Sequence, residues 1–136
     1  MIARDVMTAD PITLTVDAPV KDAINLMLEM DFRHVPVVEG TTLVGMISDR
    51  DLRSYTLPLV MSFEQAEAEK TRLETPMSEV MQGGLLSVNR ETELSDLIEL
   101  MVEHRVGAVP VVDVDGATLV GIISYIDVLK AAQGVL

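Results

Sequence analysis

Apolar residues recur at helical spacing twice along this chain. Val20, Ala23, Ile24, Met27 and Leu28 stand at i, i+3, i+4, i+7 and i+8, and Leu94, Leu97, Ile98, Met101 and Val102 repeat the spacing 74 positions later. Such a stripe predicts an amphipathic helix with one buried face. Asp17 is placed to cap the first helix, with Pro19 in its first turn, where a missing N–H costs little. After each stripe the period changes. Val35–Val38 is a short β-branched run, Glu39-Gly40-Thr41-Thr42 is turn-forming, and Leu43–Ile47 is apolar again. Val109–Val112, Asp113–Thr118 and Leu119–Ile123 repeat that order. Two short apolar runs around a turn predict a β-hairpin. Ser48-Asp49-Arg50-Asp51 and Ser124-Tyr125-Ile126-Asp127 then open predicted short helices at about 49–55 and 125–133.

The correspondence also runs upstream. Asp5-Val6-Met7 matches Glu79-Val80-Met81, and Ile12-Thr13-Leu14 matches Leu86-Ser87-Val88. The offset is 74 at Val35 and Val109 but 76 at Gly45 and Gly121, so the second copy carries two extra residues, which fall in its hairpin turn. The pattern predicts an α+β chain of two units, each strand, helix, strand, strand, helix (βαββα), over 1–55 and 77–136. A connector at 56–76 has no counterpart in the repeat. There Ser62-Phe63-Glu64-Gln65 has the capping-box form, while Glu67 with Lys70 and Glu69 with Arg72 are spaced as i,i+3 ion pairs. These predict an exposed helix at about 62–74, ended by Pro76. Units of roughly 60 residues are marginal alone, so the two are expected to bury apolar faces against each other.

Composition narrows the function. Of 136 residues, 49% are hydrophobic but only 3% aromatic, so the core is aliphatic with methionine as filler. There is no cysteine, hence no disulfide, thiolate nucleophile or thiolate metal site. No apolar run reaches the ~18 residues that span a bilayer, and Met1-Ile2-Ala3-Arg4-Asp5 lacks an apolar secretory core, which predicts a cytoplasmic protein without a membrane partner. A net charge of −12 repels nucleic-acid phosphates and argues against a nucleic-acid partner. His34 and His104 are the only histidines, and no P-loop, GxSxG, HExxH or GxGxxG pattern occurs. No catalytic residue, metal site or required cofactor is expected.

The sharpest polar feature is Ser-x-x-Asp, present as Ser48 with Asp51 and as Ser124 with Asp127. Its structural reading is a capping box. Its functional reading rests on position: each copy follows a strand containing a glycine (Gly45, Gly121) and opens a helix, whose N-terminal N–H groups suit phosphate, while a carboxylate there can accept both hydroxyls of a ribose. Both readings stay open at this level. His104 suits a helix C-terminus, Arg105 a surface position or a phosphate contact, and Tyr125 either base stacking or a dimer surface.

Taken together, Asp5-Val6-Met7, Val35-Pro36-Val37-Val38, Leu43-Val44-Gly45-Met46-Ile47-Ser48-Asp49-Arg50-Asp51 and their second-copy matches resemble the CBS domain, and the pair resembles a Bateman module. The resemblance covers about residues 2–55 and 76–133. It implies a pseudo-twofold pair with two clefts that bind adenosine ligands: AMP, ADP or ATP, sometimes S-adenosylmethionine or dinucleotides. On that resemblance Asp51 and Asp127 hold ribose hydroxyls, Ser48 and Ser124 touch ribose or α-phosphate, and Thr13 and Ser87 meet the adenine edge. Val35, Val109, Ile47 and Ile123 flank the ring. Arg33 and His34 face phosphate, with Arg50 and Arg53 adding contacts. The positions matching Arg33-His34, Arg50 and Arg53 in the second copy are Gly107-Ala108, Ile126 and Leu129, so one competent and one weaker site are expected. The implied function is a non-catalytic regulatory sensor and homodimer. The alternatives are a ligand-free homodimerisation module and a stand-alone regulatory subunit of a separate enzyme or transporter.

Overall fold

The computed structural model describes residues 1–55 and 63–136. Helix α1 (Ala3–Val6) and strand β1 (Thr8–Ala9) precede β2 (Leu14–Thr15), α2 (Val20–Met30), β3 (His34–Glu39) and β4 (Thr42–Ser48). A 3₁₀ turn at Arg53–Tyr55, helix α3 (Phe63–Leu73) and a second 3₁₀ turn at Met77–Glu79 follow. The chain ends with α4 (Leu94–His104), β5 (Ala108–Val112), β6 (Leu119–Ser124) and α5 (Tyr125–Gln133).

These elements form two compact units whose boundaries interlace along the chain. One comprises Met1–Ile12, Thr41–Leu43 and Leu86–Leu136, and the other Thr13–Gly40 and Val44–Leu85. Each unit therefore takes its leading segment from one repeat and its hairpin from the other.

In the first unit the sheet order is β1-β6-β5, with β1 antiparallel to β6 through Thr8 with Ile122 and Ala9 with Gly121. The N-terminal segment is tied in by Ala3 N–H to Thr92 O at 2.8 Å and Leu94 N–H to Met1 O at 2.9 Å. Ala3, Val88, Leu97, Met101, Val109, Val111, Val120 and Ile123 form its buried core. In the second unit the order is β2-β3-β4, with β2 parallel to β3. Its incoming segment makes the matching contacts: Met77 N–H to Ala18 O at 2.8 Å and Gln82 N–H to Met46 O at 2.9 Å. Val20, Ala23, Val35, Val37, Ile47, Leu52 and Met77 form that core. The strands shorten differently in the two units. The counterpart of β1 in the second unit is the single bridge Met46–Gln82, and the counterpart of β2 in the first is the parallel bridge Val88–Val111.

The two strand glycines have a packing role. A Cβ on Gly45 would overlap Met81 Sδ and lie 3.1 Å from Gln82 O, and one on Gly121 would lie 2.6 Å from Met7 Sδ and 3.1 Å from Thr8 O. Each glycine lets a methionine of the incoming segment cross the strand.

Several expectations are corrected. Helix α2 starts at Val20 with Pro19 as its N-cap, so Asp17 does not cap it: proline holds an extended backbone (φ −75°, ψ 154°) immediately before the first helical residue. The helix expected at about 49–55 is a run of turns ending in 3₁₀ geometry at Arg53–Tyr55. Only Leu52 is buried in that stretch, whereas α5 lays the half-buried Val128, Ala131 and Ala132 along one face. Helix α3 appears within the connector, with Lys70 Nζ 3.3 Å from Glu67 Oε1. The expected Ser62 cap and the Glu69–Arg72 pair lie outside the described residues and side chains.

Candidate functional site

Each hairpin ends in the same small polar device. After β4, the Asp51 carboxylate accepts from Ser48 N–H and from Ser48 Oγ–H through Oδ2, both at 2.9 Å, and Asp51 N–H points back to Ser48 Oγ at 3.4 Å. After β6, Asp127 Oδ2 accepts from Ser124 N–H at 2.8 Å and from Ser124 Oγ–H at 3.1 Å, with Asp127 N–H to Ser124 Oγ at 3.3 Å. All four residues are half-buried. Backbone contacts repeat the parallel: Asp49 N–H to Arg33 O at 3.0 Å, and Tyr125 N–H to Gly107 O at 2.9 Å.

The capping box predicted for Ser124 and Asp127 is present at the start of α5. The same geometry at Ser48 and Asp51 opens no α-helix. There it opens a run of i→i+3 turns from Ser48 to Tyr55 instead.

The expected site residues divide between the units. Thr13, Arg33, His34, Val35, Ile47, Ser48, Arg50, Asp51 and Arg53 belong to the second; Ser87, Val109, Ile123, Ser124 and Asp127 belong to the first. Thr13 is half-buried just before β2, and Ser87 is exposed beside the Val88 bridge. Arg33, Arg50 and Arg53 are exposed. His34 opens β3, half-buried, and burial holds its imidazole below the usual histidine range against the opposing pull of Asp49 and Asp51. Val35, Ile47, Val109 and Ile123 are at most 1% exposed, and their side chains pack in the cores of the two units. His104 ends α4, followed by Arg105 in the left-handed region at φ 55°.

Sequence reasoning missed Gln82. Its Nε2 donates to Asp51 Oδ1 at 3.1 Å. The available signal was the offset of 74: Gln82 matches Thr8, which pairs with Ile122 as Gln82 pairs with Met46. Among the described residues no cluster of three or more His, Cys, Asp or Glu side chains could hold a metal ion, and no helix is long and apolar enough to cross a membrane.

The CBS domain profile matches residues 3–57 and again 77–134, which is most of the chain. The chain belongs to the CBS-domain family. The CBS domain-containing protein YhcV of Bacillus subtilis (strain 168) is 33% identical over 124 residues, covering 91% of this chain and 80% of that protein. An inosine-5'-monophosphate dehydrogenase of Methanocaldococcus jannaschii is also 33% identical, over 129 residues. The match covers 94% of this chain but only 23% of that enzyme, so the likeness extends to its CBS region alone. Among solved structures, CBSX2 in complex with AMP superposes with a TM-score of 0.81 at 28% identity, covering 98% of this chain and 97% of that one. The chain is a CBS pair, a regulatory type of module.

Proposed function

We propose that this CBS pair senses adenosine-containing ligands, AMP, ADP or ATP, and performs no catalysis of its own. The observation that carries the reading is the Ser–Asp device, built with the same bonds in both units and present even where no α-helix follows it to be capped. The AMP complex of CBSX2, a relative that matches nearly the whole chain, supports the ligand class. In this reading Asp51 and Asp127 accept ribose hydroxyls and Ser48 and Ser124 contact ribose or α-phosphate. Thr13 and Ser87 meet the adenine edge. Arg33, Arg50 and Arg53 supply positive charge for phosphate in a chain of net charge −12, with His34 beside them as a hydrogen-bonding group. Binding acts by population shift, favouring the conformation in which the ligand is held.

A homodimer fits the same molecule. Leu28 on α2 and Val102 on α4 occupy equivalent positions of the two repeats and are 79% and 71% exposed. Apolar residues left open at matching positions suit an isologous contact with a second copy.

Calorimetric titration of the full chain with AMP, ADP, ATP, NAD and S-adenosylmethionine tests the sensor reading. Saturable binding of at least one adenine nucleotide, weakened by Asp127→Asn or Asp51→Asn, is expected. No binding by any of the five would leave the dimerisation module as the better account.

A further inference from the structure

The two Ser–Asp devices differ at one atom. Asp127 uses Oδ2 for Ser124, and its Oδ1 has no partner among the described residues. Asp51 uses Oδ2 for Ser48, and its Oδ1 takes the side-chain amide of Gln82. The difference follows from the incoming segments. Gln82 bridges Met46 of β4, and its long side chain reaches 3.1 Å from the carboxylate at the end of that strand. The equivalent residue, Thr8, pairs with Ile122 of β6 and carries a side chain shorter by two atoms; no hydrogen bond joins it to Asp127.

We propose that Gln82 gates the first-repeat site: its amide takes one acceptor position, and the approach, of the Asp51 oxygen that a ribose hydroxyl would use, leaving Asp127 as the more open carboxylate. This rests on the nucleotide reading above and refines the expected asymmetry. The basic residues Arg33, Arg50 and Arg53 lie in the unit of Asp51, whereas the unoccupied carboxylate oxygen lies in the other unit. Charge and sugar recognition therefore favour different repeats, and Gln82 sets the order in which the sites fill. A ligand binding at Asp51 must first replace the amide. The amide is exposed and lost to water at little cost, so the gate lowers affinity without abolishing it.

The test is AMP titration by calorimetry on the full chain, using Gln82→Met, which keeps the length of the side chain and removes both donors. In the wild-type protein Asp127→Asn should weaken AMP binding more than Asp51→Asn. In the Asp127→Asn background, where binding reports on Asp51, adding Gln82→Met should tighten AMP about three- to tenfold, as expected for the net worth of one ordinary exposed hydrogen bond. Gln82→Met alone should leave the tighter site unchanged. Weaker binding after Gln82→Met would make Gln82 a supporting ligand contact and overturn the gate; unchanged binding would overturn it too. Both results leave the nucleotide reading standing, because AMP still binds. Absence of AMP binding in the wild type and every variant overturns both. Melting curves of each variant without ligand separate these outcomes from loss of fold.

Discussion

Replacing Gly45 by alanine tests how the incoming segment is held. The added Cβ would overlap Met81 Sδ, lie 2.9 Å from Met81 Cγ and stand 3.1 Å from Gln82 O. The thioether can swing away, but Met81 then leaves its place against the buried core of the unit. The carbonyl must also retreat by a few tenths of an ångström, which strains the Met46–Gln82 bridge. Overpacking of this kind costs about 1–3 kcal/mol. At about 2.1 cal/mol/K of unfolding entropy per residue, 136 residues give roughly 3.5 °C per kcal/mol, so Tm should fall by about 4–10 °C. The clash is with one side chain above all, so Met81→Ala should relieve it. In a double-mutant cycle followed by thermal denaturation, Gly45→Ala with Met81→Ala should lose clearly less than the two single losses added together. Strict additivity, or a Gly45→Ala protein melting with the wild type, would refute the close-crossing account.

Other outcomes follow from the same geometry. Gly121→Ala should behave like Gly45→Ala, with Met7→Ala as its suppressor, because Met7 Sδ lies 2.6 Å from the new Cβ; thermal melting reads both. Ser124→Ala should cost about 1 kcal/mol in denaturant unfolding, since it removes the cap of α5, and Ser48→Ala should cost less, since no α-helix follows it. His34 binds its proton less readily in the folded state than when unfolded. Stability should therefore be fully present above the ordinary histidine pKa of about 6.5 and decline as pH falls through that value toward the lower folded-state pKa, and His34→Gln should remove that part of the slope. Leu28→Glu combined with Val102→Glu should shift the sedimentation or light-scattering mass from dimer to monomer; an unchanged dimer would place the contact elsewhere.

The repeat was legible in its apolar period: the stripes at Val20–Leu28 and Leu94–Val102 became α2 and α4, although their last members, Leu28 and Val102, are exposed rather than buried, and the β-branched runs became the two hairpins. The interlacing was not legible. A two-residue strand such as Thr8–Ala9 carries no pattern saying which hairpin it joins; in the fold it pairs with β6, where Met7 crosses Gly121. Glycine in a strand signalled close approach correctly, but what approaches is a methionine and its backbone. The Ser–Asp spacing announced its hydrogen bonds in both copies, whereas the following helix depended on apolar residues that Asp49–Tyr55 lacks and Tyr125–Gln133 has. Val35 and Ile47 were assigned to the ligand ring by resemblance alone, and both side chains are fully buried in the core of their unit. Gln82 was hidden because an exposed glutamine has no periodicity. Its role follows only from the strand that Met46 and Gln82 share.

The claim that this CBS pair holds adenosine ligands is tested most directly by melting this chain with and without AMP at 100 times its Kd, the Kd taken from the titration. Occupation of one site at that concentration adds about 2.7 kcal/mol. For a chain of this length the predicted rise in Tm is about 9 °C, reduced when Asp127 is replaced by asparagine. An unmoved melting curve at millimolar AMP, ADP and ATP alike would contradict the account.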